Sequence, residues 1–130
     1  MRSADWPEIL EAKMREWDAI PFAWGTTDCA MFVIDVVNAM TGMGIVNRSL
    51  GTYDTQGGAL RAIRALGDDL SALVSERFGD SIPVAFAQRG DALLFQGNLG
   101  ICVGEVSMFR TPEGLLKVDT LKCERAWRVG

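Results

Sequence analysis

Residues 22–32 read FAWGTTDCAMF, and what this stretch becomes decides the fold. Gly25 and two threonines interrupt any periodic pattern, so 22–27 reads as a loop. From about Asp28 to Met40 the sequence CAMFVIDVVNAM is apolar on nearly every side, and Gly42 follows as a C-terminal stop, which predicts a central, buried helix. Asp35 and Asn38 alone interrupt its apolar surface, which puts both at a rim or against a polar partner. Cys29 then falls in the helix's first turn, where free backbone N–H groups and the helix dipole favour an anion. Such placement lowers a thiol pKa. A dipole contribution of about 1 kcal/mol is roughly 0.7 pK unit, taking a reference value of ~8.5 to ~7.8. Asp28, the neighbouring carboxylate, pushes in the opposite direction.

Upstream, Asp5 is placed to cap a helix whose first turn holds Pro7 and Glu8, and Trp6, Ile9, Leu10, Met14 and Trp17 recur along it at helical spacing. That helix is expected to end near Ala19, before Pro21. Downstream, TGMGIVNRSLGTYD at 41–54 holds three glycines and no clean period, so it reads as a surface connection. Thr55 begins a further expected helix through Ala59, Leu60, Ile63 and Leu66, stopped by Gly67. Asp68 or Asp69 starts a short one through Leu70, Leu73, Val74 and Phe78, stopped by Gly79.

After Pro83 the character changes to short β-type runs: DALLF at 91–95, LGICVGEVSMF at 99–109, LLKV at 115–118 and AWRV at 126–129. Gln96-Gly97-Asn98-Leu99 has the form of a tight hairpin with Gly-Asn at the turn. Leu99, Ile101 and Val103 share one face and the apolar phase then shifts to Val106 and Met108, which predicts a bulge or bend near Gly104. Helices first and a small antiparallel sheet second make an α+β layout. One domain over residues 1–130 is expected, because chains of roughly this length most often build a single core.

Composition narrows the function classes. Of 130 residues, 48% are apolar and 23% charged, with a formal net charge of −4, which is ordinary globular composition. The arginines are scattered without a basic stripe, which disfavours nucleic-acid binding. The start, MRSADWPEIL, carries charges where a signal peptide needs an apolar segment, and no apolar run approaches ~18 residues, so no membrane insertion and synthesis in the cytoplasm are expected. Cys29, Cys102 and Cys123 are odd in number at unrelated spacings, unlike a disulfide framework. With no histidine in the chain and no CxxC pair, no metal and no cofactor are expected.

A cysteine carried by a loop into a helix is how several nucleophiles are presented, but cysteine hydrolases also need a general acid to protonate the leaving amine, normally a histidine. Lys117, Asp35 and Asp119 are the substitutes the sequence offers. The alternative for Cys29 is a small buried residue packing the helix start.

PFAWGTTDCAMFVIDVVNAMTG resembles the nucleophile segment of the NlpC-type cell-wall cysteine peptidases, papain-like enzymes in which a WG-x-x-DC loop delivers the cysteine to a helix. RGDALLF at 89–95 followed by LGICVGE at 99–105 resembles that family's R-x-G-D-L-V-F strand and its H-V-G-I-Y-x-G strand. The resemblance covers roughly residues 20–110 and implies an NlpC-like, papain-type fold with Cys29 at the nucleophile position. Asn98 stands at the place of the family's base, and the third polar residue falls around Lys117 to Asp119. Trp24, Gly25 and Asp28 would line the groove beside the cysteine. Asparagine cannot act as a base near pH 7.

The chain is also similar, over almost its whole length, to small phage and prophage proteins associated with tail-tip genes, which share the DWPE start, PFAWG-x-x-DC, GALRAIRALG, RGD and a final AWR. That resemblance implies a virion tail setting with other phage tail or baseplate proteins as partners. The function it implies is a structural or interaction module with a degenerate peptidase site. Three readings stand: that module; an active cysteine hydrolase or acyltransferase on peptidoglycan peptides, with a non-histidine or partner-supplied base; and a prophage-encoded cargo or immunity-type binding protein.

Other residues read more plainly. Trp6, Trp17 and Trp127 are expected in the core. Asp91 is expected to cap a turn or pair with Arg89. Gly57-Gly58 lacks phosphate-loop spacing, and Arg61 and Arg64 read as a solvated helix face.

Overall fold

The computed structural model describes residues 2–23, 28–45, 55 and 70–130. The greater part of the connection expected over 41–54, from 46 on, and the helix expected from Thr55 to Gly67 beyond Thr55 itself, with Gly57, Gly58, Arg61 and Arg64, lie outside the described residues. So do Asp68, Asp69, Trp24 and Gly25.

Helix α1 spans Trp6–Ala19, with Pro7 in its first turn and Ile20 already extended beyond its end. Asp5 occupies the cap position, but its side chain makes no cap bond. The first turn is tied instead by the Trp6 N–H donating to the Ser3 carbonyl at 3.1 Å. Helix α2 spans Cys29–Thr41 and does have a working cap: the Asp28 carboxylate accepts from the Met31 N–H, at 3.1 Å. It ends on Gly42 at φ 71°, whose N–H bonds back to the Asn38 carbonyl, the left-handed stop that glycine makes cheaply.

The two helices pack through Trp17 and Phe32, whose rings meet edge to face at 5.4 Å. The polar interruptions of α2 are both used. Asp35 accepts from the Trp17 indole N–H at 2.8 Å and pairs with Lys13 at 3.0 Å. Asn38 clasps the chain beyond the helix, donating to the Ile45 carbonyl at 2.9 Å and accepting from its N–H at 2.8 Å. Helix α3, Leu70–Phe78, stops before Gly79 at φ 86°, and its Ser75 hydroxyl accepts from the Trp127 indole at 2.9 Å.

Five strands follow: β1 Ala92–Phe95, β2 Asn98–Cys102, β3 Val106–Thr111, β4 Gly114–Asp119 and β5 Arg125–Trp127. They form one antiparallel sheet in the order β4-β3-β2-β1-β5. The α+β layout is therefore present, with one correction to the expected turns. Phe95 pairs with Asn98, so the first hairpin turns on Gln96 and Gly97, at φ 49° and 78°, one residue earlier than the Gly-Asn turn expected. Two consecutive positive φ values match the right-handed twist of the flanking strands. Of the bulge or bend expected near Gly104 the structure has the bend, sharper than a kink within one strand. The chain reverses there: Cys102 pairs with Ser107, and the Val103 N–H donates to the Val106 carbonyl at 3.0 Å around Gly104 at φ 129°.

The sheet buries both faces differently. Ala92, Leu99, Ile101 and Trp127 join α1, α2 and Val74 in the main cluster. Leu93, Cys102, Phe109, Val118, Cys123 and Ala126 form a second cluster on the opposite face. That second face is flanked by two short 3-10 turns, Val84–Phe86 and Thr120–Lys122, whose Phe86 and Leu121 remain 64% and 72% exposed. Trp17 and Trp127 are buried and Trp6 packs partly against the main cluster.

Gly100 sits opposite Phe109 in the β2–β3 ladder: a Cβ there would lie 2.5 Å from the Met108 carbonyl oxygen and 2.5 Å from the Phe109 ring. A ladder carbonyl cannot step aside as a side-chain tip can. Gly100→Ala is expected to cost about 1–3 kcal/mol of stability, read as a lowered urea midpoint; an unchanged midpoint would show that the strands separate freely.

Candidate functional site

Cys29 is the first residue of α2, set by the Asp28 cap, and β2 brings Leu99 against it. The backbone N–H groups of Leu99 and Ala30 near the sulfur favour its thiolate, yet burial pushes the thiol pKa up from 9.0 to about 11, and the Asp28 carboxylate adds to the rise. The expected lowering to ~7.8 is thereby reversed, because desolvation outweighs a dipole contribution of about 0.7 pK unit. The residue keeps some exposed surface, but its side chain packs on the main cluster and the sulfur is the part withdrawn from water. A pKa near 11 leaves ~10⁻⁴ of the thiol ionised at pH 7.

A raised folded-state pKa means that the folded chain holds this proton more tightly than the unfolded chain. The resulting stability is fully present below pH 9 and is lost as pH rises toward 11, on the order of 2 kcal/mol in all. Melting curves from pH 8 to 11 are expected to fall, and Cys29→Ala to fall less steeply. Parallel curves would contradict the burial of the sulfur.

Of the other expected site residues Asp28 stands beside the thiol, and Asn98, Lys117, Asp119 and Asp35 are engaged with other partners or exposed. Asn98 pairs with Phe95, which packs on the second cluster. Alternation along a strand puts Asn98 on that face and Leu99 on the helix-facing one. The Asn98 amide donates to the Gln96 carbonyl at 3.3 Å. Lys117 and Asp119 are exposed on the edge strand β4, opposite Met108 and Val106, and Asp119 faces Lys122 at 3.7 Å. Asp35 is held by Trp17 and Lys13. Asp28 is 2% exposed and bound at the helix start. Trp24 and Gly25, the two remaining groove residues, lie outside the described residues.

Two arginines have roles that sequence reasoning missed. Arg110 is buried on β3, where one step beyond the Gly100–Phe109 pair the register sets it beside Leu99. Its Nη1 donates to the Trp17 carbonyl at 2.9 Å, its guanidinium lies 5.9 Å from the Phe22 ring, and its Nε is buried without a partner among the described residues. A cation at the C-terminal end of α1 meets the negative end of the helix dipole. The sequence signal is an arginine inside the apolar run VSMFR. Arg2, not Arg89, is the partner of Asp91, at 2.8 Å. Asp91 also caps the turn before β1, accepting from the Gln88 N–H at 2.9 Å.

Among the described residues no group of three His, Cys, Asp or Glu side chains gathers as a metal site, and no described helix is long and apolar enough to cross a membrane. What the arrangement around Cys29 offers chemically is a protonated thiol among backbone N–H donors.

Residues 1–129 match the family described as a domain of unknown function, DUF6950. No curated protein matches the chain.

Proposed function

The chain belongs to the DUF6950 family, a domain of unknown function, and from the resemblance of its sequence and the setting of Cys29 we propose that it is a phage-type tail-tip or hub component, an NlpC-like, papain-type domain acting as a structural and interaction module with a degenerate peptidase site. One observation carries the reading. Cys29 opens a buried helix and meets β2, the way a papain-type nucleophile is presented, but its thiol is held protonated near 11 in a chain without histidine. Presentation is kept while the means of activation is missing. The virion setting rests on the whole-length resemblance of the sequence, with other tail or baseplate proteins as partners. Phe86 and Leu121, exposed on neighbouring 3-10 turns, are the apolar side chains offered to such a partner.

The test is association. Tagged protein mixed with disassembled tail proteins is expected to retain at least one of them, and the double variant Phe86→Ser, Leu121→Ser to lose it with an unchanged melting temperature. Failure to retain any tail protein would overturn the assignment.

The backbone N–H donors around the Cys29 sulfur favour a second reading, an active hydrolase on peptidoglycan peptides, since such donors stabilise developing negative charge. Without a base on its own chain it would forgo about 10²–10⁴ in rate, so it requires a base from a partner.

A further inference from the structure

The two edges of the sheet are finished differently. At the β5 edge the outer side of the strand is taken by Ile82, which bridges to Ala126 and donates its N–H to the Ala126 carbonyl at 2.8 Å. At the other edge β4, six residues long, pairs with β3 alone. Leu116 is 47% exposed on it, and Lys117 and Asp119 are exposed as well.

The ladder fixes which backbone groups β4 turns outward. The Val106 carbonyl accepts from the Val103 N–H at 3.0 Å and so faces β2, which leaves Asp119, its opposite number on β4, with its N–H turned away from β3. One residue on, the Thr120 N–H points inward, to the Glu105 carbonyl at 2.9 Å. These directions alternate along an antiparallel strand, so Lys117 and Leu115 also turn N–H and C=O outward, where among the described residues no backbone bond meets them. The Asp119 carbonyl has a 3.9 Å contact from the Cys123 thiol. An edge of this kind is a template for a further strand.

Charge decides which strand fits. Two copies of β4 related by a twofold axis at Val118 run antiparallel, and Lys117 of each then lies opposite Asp119 of the other. The outward-facing residues and the opposite charges coincide in that register, and opposite charges directly across a strand pair attract. Moving the axis to Lys117 sets the two lysines against each other, which is unfavourable. Within its own chain Asp119 has Lys122 at 3.7 Å, both well exposed, a pair of little worth. Lys117 forms no ion pair among the described residues. Twofold pairing also occupies both copies of the edge at once and closes the assembly at two.

We propose that β4 is a self-association edge, where a second copy of this chain adds its own β4 antiparallel about Val118 and continues the sheet, Lys117 facing Asp119 of the other copy. The inference depends neither on the role of Cys29 nor on the tail-protein reading.

The test is sedimentation equilibrium of the purified protein over a range of concentrations, which is expected to show a reversible monomer–dimer equilibrium. Lys117→Glu and Asp119→Lys, each setting like charges opposite one another, are each expected to weaken the dimer about tenfold or more. The double variant Lys117→Glu, Asp119→Lys exchanges the two charges and is expected to restore it. Both side chains are exposed, so the variants keep their fold. In a mixture of 15N-labelled and unlabelled protein, carbodiimide is expected to join Lys117 of one copy to Asp119 of the other. A monomer at every concentration, a dimer indifferent to the single reversals, or a double variant no tighter than the single ones would overturn the proposal.

Discussion

Asp91→Ala is expected to lower the melting temperature by about 10–15 °C, from a loss of about 3–5 kcal/mol. The carboxylate is 1% exposed and answers three donors: Arg2 at 2.8 Å, the Gln88 N–H at 2.9 Å and the Val129 N–H at 3.1 Å. Removing it leaves a largely buried guanidinium uncompensated and two backbone donors without acceptors, and each such orphan carries its own desolvation cost. The loss also unties the segment before α1 from the start of β1 and the end of the chain. Asp91→Asn, which keeps one oxygen acceptor but loses the charge and puts an NH2 donor in place of the second oxygen, is expected to fall between the parent and Asp91→Ala. Melting temperatures within ~2 °C of the parent for Asp91→Ala would show that the terminal segments are held mainly by apolar packing.

Cys29 in the native protein is expected to react with iodoacetamide about 100-fold or more slowly at pH 7 than the same cysteine in the denatured chain. Alkylation follows the thiolate, and two units of raised pKa remove a factor of about 100 from its population. The rate is expected to climb tenfold per pH unit to beyond pH 10 without levelling, whereas a thiol tuned for catalysis levels off near neutrality. Mass spectrometry of the peptide containing Cys29 separates it from Cys102 and Cys123, which are buried. Fast labelling at pH 6 would contradict the burial of the sulfur and revive the hydrolase reading.

Much of the fold was legible because its signals are local. The apolar run from Cys29 closed by Gly42 fixed α2 to within a residue, and the breaks at Pro21 and Gly79 placed the ends of α1 and α3. The turns were harder. Gln96 adopts a positive φ that its identity does not advertise, so the hairpin was expected one residue late, and a reversal at Gly104 looks from the sequence like a slip of phase within one strand.

The site was less legible, for a different reason. A helix start announces a favourable dipole, but how deeply the thiol is buried depends on what β2 brings against it, and no local pattern states that Leu99 covers Cys29. Asn98 lies one residue from Leu99 yet on the other face of the sheet, a distinction of register that spacing alone does not carry. The partner of Asp91 proved to be Arg2, 89 residues away, where the sequence offered Arg89 close by. Arg110 shows the same limit: its place at the end of α1 is a tertiary fact.

On the function proposed, this domain presents a cysteine without using it. Incubating purified protein with muropeptides, beside Cys29→Ala, tests that directly through the release of cleaved peptides. No cleavage that depends on Cys29 is predicted for the protein alone. Turnover abolished by Cys29→Ala would contradict the claim and make the protein a cysteine hydrolase that works without histidine.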